Sequence, residues 1–314
     1  MNPSQAASAG DNSPMTRRLA LAGIPSNSAG TNDGVARAPA ALRAAGLVAA
    51  LQAIDPTLLD LGDIPLPPRS PVRGPGSGLI DPAGLEAAIG AAAAATAAAL
   101  ADDRFAVLVG GDCPILLGAL EAASAASSSG ACGCLFVDGH EDAYPPEASL
   151  TGEAADMELG LALGLGIERL PDPLRARPPL LRPDQVVLLG PRDADELASH
   201  GVRSLRGTVE LHDDAAVRAD PAAIAAGAAL RLSARTGTWW LHLDLDVLST
   251  EALPAVDYRQ PGGLAWSDLD ALVRAALAVA GCAGLTLTIY TPDLDPDAAG
   301  ARAIVAFLGR VLAG

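Results

Sequence analysis

The sequence predicts an α/β fold built on a parallel sheet covered by helices on both faces, and three observations carry that prediction. Short runs rich in Val, Leu and Ile recur at residues 19–24, 105–109, 134–137, 185–189, 239–245 and 285–289, with the continuous apolar character of strands buried on both faces. Ala- and Leu-rich segments at 38–51, 82–101, 114–126, 157–163, 221–231 and 267–280 lie between most of them, several opening on Ser, Asp or Pro as helices do. Strands that alternate with helices pair in parallel, because each helix carries the chain back across the sheet. The third observation is supply: 314 residues, half of them hydrophobic, hold ample apolar material for a core. Pro- and Gly-rich stretches at 64–78 and 170–184 read as loops too short to separate domains. The expected organisation is a flexible tail over residues 1–15, rich in Ser, Asn, Ala and Gly, followed by a single domain over 16–314.

Composition excludes several kinds of function. The net charge is -16 and the chain has no lysine, which argues against nucleic acid, since phosphate binding relies on clustered Lys and Arg. The missing lysine also removes Schiff-base chemistry and the phosphate-binding lysine of a P-loop. The N-terminus has neither the basic start nor the apolar run of a secretory signal. The most apolar stretch, 87–100, is mostly alanine and shorter than the roughly 20 residues a membrane crossing needs, so no membrane partner is expected. Four cysteines, Cys113, Cys132, Cys134 and Cys282, fit reduced thiols in a cytoplasmic protein better than a disulfide framework. The Cys132-Gly133-Cys134 triplet reads as small-residue filling at the start of a buried strand.

In an open parallel sheet ligands bind beyond the carboxyl ends of the strands, so polar residues directly after apolar runs are the informative ones. Three clusters qualify: Gly110-Gly111-Asp112-Cys113 after 105–109, Asp138-Gly139-His140-Glu141-Asp142 after 134–137, and Asp244-Leu245-Asp246, preceded by His242, after 239–243. An i, i+2, i+4 spacing in an extended segment turns Asp138, His140 and Asp142 to one side, and Asp244 and Asp246 share the i, i+2 relation. Four carboxylates packed together without a cation repel strongly. Such a set beside buried strands therefore points to bound metal.

Together, Gly-Gly-Asp-Cys at 110–113, Val-Asp-Gly-His-Glu-Asp at 137–142, Leu-Asp-Leu-Asp at 243–246 and Pro-Gly-Gly-Leu at 261–264 resemble, in this order, the signature blocks of the arginase, agmatinase and formimidoylglutamase (ureohydrolase) family. Gly34-Val35-Ala36-Arg37-Ala38-Pro39 and Leu42-Arg43 resemble its first block. The resemblance implies a three-layer α/β/α sandwich around a central, mainly parallel sheet, assembled as a homo-oligomeric trimer or hexamer. It implies two metal ions per chain, most often Mn2+, and hydrolysis of a C–N bond in a small guanidino or formimidoyl compound. Carried over position by position, one metal takes Cys113, Asp138, Asp142 and Asp244, and the other Asp138, His140, Asp244 and Asp246. A water bridging the two ions would ionise near neutral pH, attack the planar carbon, and leave an oxyanion for the same ions to stabilise, with Asp142 among the catalytic groups.

The departures from the family pattern bear on substrate. Cys113 stands where the family has His, and a thiolate opens the site to zinc or iron. After Asp142 the chain offers Tyr144, Thr151-Gly152-Glu153 and Ala155 in place of the family's Asn, Ser-Gly-Asn and His, so Tyr144 and Glu153 become the expected substrate contacts and the loop His is missing. Ile289 replaces the Glu that pairs with a guanidinium, and Asp293 and Asp295 either substitute for it or serve as helix-cap or turn residues. Arg259 either binds a substrate carboxylate through its planar fork or serves as a surface residue. His242 is either a proton shuttle replacing the lost His or a buried support bonded to a carboxylate. Asp112 is expected to orient its loop, while His200 and His212 are expected to be solvated. Two alternatives remain at this level: a single-metal deacetylase-like amide hydrolase, and a catalytically silent relative.

Overall fold

The computed structural model describes residues 17–28 and 34–314; the tail expected over 1–15 lies outside them. Eight strands, β1 (Leu19–Ile24), β2 (Leu59–Asp63), β3 (Phe105–Gly110), β4 (Gly133–Val137), β5 (Val186–Leu189), β6 (Glu210–His212), β7 (Trp239–Asp244) and β8 (Cys282–Thr288), form one sheet in the order β2-β1-β3-β8-β7-β4-β5-β6. Every neighbouring pair is parallel. Ten α-helices make the returns: α1 (Ala38–Ala44), α2 (Leu47–Ile54), α3 (Pro82–Ala101), α4 (Ile115–Ala126), α5 (Glu158–Ala162), α6 (Ala194–Ser199), α7 (Asp214–Ala219), α8 (Pro221–Thr236), α9 (Trp266–Leu277) and α10 (Ala299–Leu312).

Two cores follow from the period-2 alternation of the strands. Leu19, Leu21, Val107, Val109, Leu135, Val137, Leu241 and Leu243 pack with buried side chains of α1, α2, α8, α9 and α10. Their alternates Ala20, Ala22, Ala106, Leu108, Cys134, Phe136 and Trp240 pack with α3, α4 and α5. The result is the α/β/α sandwich that the resemblance implies. Cys132 and Cys134 are free and fully buried in the second core. Helix α3 is long and apolar enough to cross a membrane. Here it packs on α4 and buries Leu85, Ile89, Ala92 and Ala99 against the sheet.

Helix starts follow capping chemistry. Asp81 accepts from the Gly84 amide at 3.1 Å ahead of α3, and Asp220 from the Ala223 amide at 3.1 Å ahead of α8, each followed by Pro at the first helical position. The structure departs from the sequence reading in several places, the short helices α6 and α7 among them. The segment 38–51 is two helices rather than one, because Gly46 adopts φ +99 between them. The edge strands β2 and β6 were not anticipated: LDLGD and ELH lack an apolar run, and their residues are only half-buried or exposed. Helix α8 continues to Thr236 and ends at Gly237, φ +75. Helix α10 completes the first core with Ala301, Ile304, Val305, Leu308 and Val311 at helical spacing.

Candidate metal centre

The strand order brings β3, β8, β7 and β4 side by side, so the polar residues after each of them meet at one edge of the sheet. Phe136 pairs with His242 and Val137 with Leu243, and Asp244 pairs with Thr288. Asp138 thus follows directly beside Asp244. Two glycines permit the approach. A Cβ on Gly111 would collide with the Ser26 carbonyl, and one on Gly139 would collide with the Arg192 guanidinium and sit 2.9 Å from Asp246 Oδ1. The Gly139 amide itself donates to Asp246 Oδ1 at 3.1 Å.

Two of the donor groups that result are made of the anticipated residues. In the first, Cys113, Asp138, Asp142 and Asp244 each offer an atom within 4.8 Å of the others, and all four are buried. In the second, Asp138, His140 and Asp246 do the same. The sequence thus anticipated six residues that the structure brings together. Asp244 stands apart from the second group, because Oδ2 accepts the Cys113 thiol at 2.8 Å and Oδ1 accepts the Asp246 amide at 2.7 Å. Glu141, alternate to these residues, turns away to accept Ser204 Oγ at 2.6 Å and the Leu205 amide at 2.5 Å. Asp142 reaches its place through a left-handed backbone, φ +41.

Electrostatics describe a cluster that wants cations. Burial and the neighbouring Asp246 push Asp138 up to about 6. Burial, then adjacent carboxylates, raises Asp142 and Asp244 well above the usual range. Burial opposes a charge on His140, yet Asp246 at 2.9 Å and Asp138 hold its proton and shift it strongly upward. Asp246 is itself lowered, since the attraction of His140 and Arg192 overcomes its burial. Asp138 Oδ2 is buried with no hydrogen-bond partner, an orphan in a native-like core. The donors fit divalent ions, which replace these protons and satisfy that oxygen.

Asp112 orients the loop: its carboxylate accepts the Ser28 amide at 2.5 Å and the Cys113 amide at 3.0 Å. Asp112→Ala leaves both amides unpaired at a buried position and is expected to cost about 1–3 kcal/mol, read as a lower urea midpoint together with weaker metal retention. An unchanged midpoint would show that the loop holds without it.

A cavity of about 350 Å³ opens over the donors, small-molecule size. Its lining includes His140, Asp142, Asp244 and Asp246 at the floor and the anticipated Tyr144, Glu153 and Arg259 in the walls. Tyr258 donates to Glu153 Oε2 at 2.7 Å, and Tyr144 shares a 2.9 Å hydrogen bond with His200 Nδ1. His200 was expected to be merely solvated; it is exposed, but at the cavity wall. Asp193, Glu196 and Asp257 also line the cavity and were missed, because they come from segments whose sequence resembles ordinary polar loops. Ile289 lines it too, in a left-handed conformation at φ +59 that is an outlier for a β-branched residue.

His242 does not line the cavity. It points into the second core, fully buried against the Phe136 ring with centroids 4.6 Å apart, and its Nδ1 meets Thr286 Oγ1 at 2.7 Å. Burial pushes it down to about 3, so it is a neutral imidazole. Asp293 pairs with Arg37, and Asp295 accepts the Tyr290 hydroxyl at 2.7 Å and the Ala301 amide at 3.0 Å, so neither replaces a carboxylate at Ile289.

Carboxylate-rich donor groups at the carboxyl edge of a parallel sheet, beneath a small cavity, define a metal-dependent hydrolase. The chain belongs to the arginase family, whose model matches residues 17–314, and with that family it is a hydrolase of C–N bonds in linear amidines. It is 27% identical over 294 residues to the arginase of Bacillus caldovelox, covering 93% of this chain and 97% of that one. It is 32% identical over 173 residues to the N(omega)-hydroxy-L-arginine amidinohydrolase of Streptomyces lavendulae, about half of each chain at 55% and 56%. The native structure of the Bacillus caldovelox arginase superposes with a TM-score of 0.83 at 26% identity, over 94% of this chain and 98% of that one. The formimidoylglutamase of Bacillus subtilis shares the fold, with a TM-score of 0.69 at 20% identity over 96% and 88%.

Proposed function

We propose that this protein hydrolyses a guanidino group made less basic by an electronegative substituent, such as the N-hydroxyguanidine of a hydroxyarginine, in preference to L-arginine. The observation that carries this reading is Ile289 in the cavity wall. An apolar side chain, 6% exposed, faces the site where a cationic guanidinium would need a carboxylate. The Streptomyces lavendulae relative, named for hydroxyarginine, supports the same substrate class.

Cys113, Asp138, Asp142 and Asp244 would hold one metal ion and Asp138, His140 and Asp246 the other, with Mn2+ expected and Cys113 favouring zinc or iron at the first position. When bound, such ions supply an activated water and Lewis-acid stabilisation of a developing oxyanion. The protein's own groups do the rest. Arg259 binds the substrate carboxylate, and the acidic wall at Asp193 and Glu196 takes its amino group. The Tyr144 hydroxyl, bonded to His200 Nδ1, delivers a proton to the departing amine, in place of His242, which lies outside the cavity. The four thiols, all free, suit the cytoplasm, and the expected assembly is a trimer or hexamer.

Release of urea or hydroxyurea from L-arginine, agmatine and Nω-hydroxy-L-arginine by manganese-loaded protein tests the reading; turnover of L-arginine as fast as the hydroxylated substrate would sink it. Ile289→Glu should shift preference towards L-arginine by about 10- to 100-fold, the worth of a charge-assisted hydrogen bond of roughly 1.5–3 kcal/mol. An unchanged kcat/KM ratio between the two substrates would remove Ile289 as the selector.

A further inference from the structure

Behind the cavity, on the side of the sheet covered by α3, α4 and α5, two buried polar groups have no task in the chemistry above. Glu158, the first residue of α5, has no solvent exposure; no donor group reaches either carboxylate oxygen, and what the side chain meets is the carboxylate of Asp142, which only a shared proton or a cation can join to it. His242 is equally buried; Thr286 holds its Nδ1, while Nε2 is unpartnered and lies 4.0 Å from Glu158 Oε1. A third orphan, Asp138 Oδ2, belongs to the same neighbourhood. Burying a carboxylate unpaired costs several kcal/mol or more, so one such group would be unusual and three together call for a shared partner.

Cys113, Asp138, Glu158 and His242 each offer one donor atom, and these four atoms lie within 4.8 Å of one another. The 4.0 Å gap between Nε2 and Oε1 is too long for a hydrogen bond. A tetrahedral ion with bonds of about 2.0–2.3 Å spaces its ligands roughly 3.3–3.7 Å apart, so a small inward adjustment closes the set. We infer that Glu158 and His242 are metal ligands, forming with Cys113 and Asp138 an inner divalent-cation position that adjoins the proposed pair.

Donor chemistry selects the ion. One thiolate, one imidazole and two carboxylates suit zinc, whereas manganese prefers an all-oxygen or oxygen-rich octahedral shell. The Thr286 hydroxyl fixes the imidazole so that a proton on Nδ1 leaves the Nε2 lone pair free to coordinate. Charge favours a further cation as well. Asp138, Asp142, Asp244, Asp246, Glu158 and a Cys113 thiolate carry six negative charges, and two divalent ions supply only four positive ones. The Arg192 guanidinium reaches the Asp246 carbonyl at 2.7 Å, at the opposite end of the cluster from Glu158. A competing occupant of the inner space is a proton shared between Glu158 and Asp142, whose carboxylates abut. That arrangement makes Glu158 a support for Asp142 and leaves His242 idle.

The inference rests on Cys113 and Asp138 binding metal, and one set of variants separates the two levels. Full-length protein is stripped with a chelator, dialysed against Zn2+ for elemental analysis, and titrated with Co2+ followed by absorption. Glu158→Gln keeps the size of the side chain and can still donate to Asp142; His242→Gln is the second variant, and Asp246→Asn reports on the outer pair. Glu158→Gln and His242→Gln are each expected to lose one zinc per chain and the intense visible bands of four-coordinate cobalt, with wild-type circular dichroism. A folded Glu158→Gln protein with wild-type zinc content and an unchanged cobalt spectrum overturns the inner position in favour of the shared proton. If Asp246→Asn alone loses metal, the outer pair stands and the inner position falls. Wild-type protein that takes up no metal overturns both.

Discussion

Asp244→Asn is expected to leave the fold intact and to remove metal-dependent hydrolysis. The carboxylate sits among the first group of donors: Oδ2 accepts the Cys113 thiol and Oδ1 accepts the Asp246 amide, so its position is set by the turn that follows β3 and by its own turn. Asparagine preserves that shape but withdraws a negative charge from the donor group of Cys113, Asp138 and Asp142. Changes to groups that merely support metal ligands cost about 10- to 100-fold in affinity or activity, and loss of a direct ligand should exceed the upper figure. Metal per chain by elemental analysis and kcat under saturating manganese are the readouts, with circular dichroism as the control for folding. A variant with wild-type metal content and a kcat within a few-fold of wild type would remove Asp244 from the centre.

Removing metal should make stability fall as pH rises, and restoring metal should reverse that dependence. Without cations, burial raises Asp138 to about 6 and lifts Asp142, Asp244 and Glu158 above their usual values. Asp156 and Asp193, beside the cavity, are also pushed up to about 6 by burial. Groups with a folded pKa above the unfolded one bind more protons in the native state. Their stabilising contribution is fully present below the unfolded carboxylate range near pH 4 and is lost as pH climbs through their folded values. The metal-free protein should therefore melt several degrees lower at pH 8 than at pH 5. Bound cations invert the preference, because ligands must be deprotonated to coordinate. An ion at 100 times its Kd adds about 2.7 kcal/mol per site, so the loaded protein should melt higher at pH 8 than the stripped one. Thermal scans with and without chelator at the two pH values measure both effects. A chelated protein whose melting temperature is flat or rises with pH would show that the carboxylates find other partners.

The sequence by itself determined the sheet and the floor of the site. Buried parallel strands need unbroken apolar runs, and six such runs mark β1, β3, β4, β5, β7 and β8. Candidate metal-binding residues placed two apart just past those runs are legible because the strand's period of two dictates which of them face together. The edge strands escaped notice because β2 and β6 bury too little to demand an apolar pattern, and they pair only because β1 and β5 present a free edge. Tertiary structure alone decided what depends on proximity across the chain. His200 joins Tyr144 at the cavity wall from 56 residues away, and no local pattern distinguishes it from a solvated histidine. His242 has the strand parity of Asp244, yet it lies deeper under the sheet edge, so packing against Phe136 and Glu158 captures it where the cavity does not reach. In the sequence nothing sets Glu158 apart from any other polar residue at a helix start. Only the packing of α5 against α4, with His242 and Asp142 alongside, buries it, and burial turns an ordinary carboxylate into a group that must have a partner.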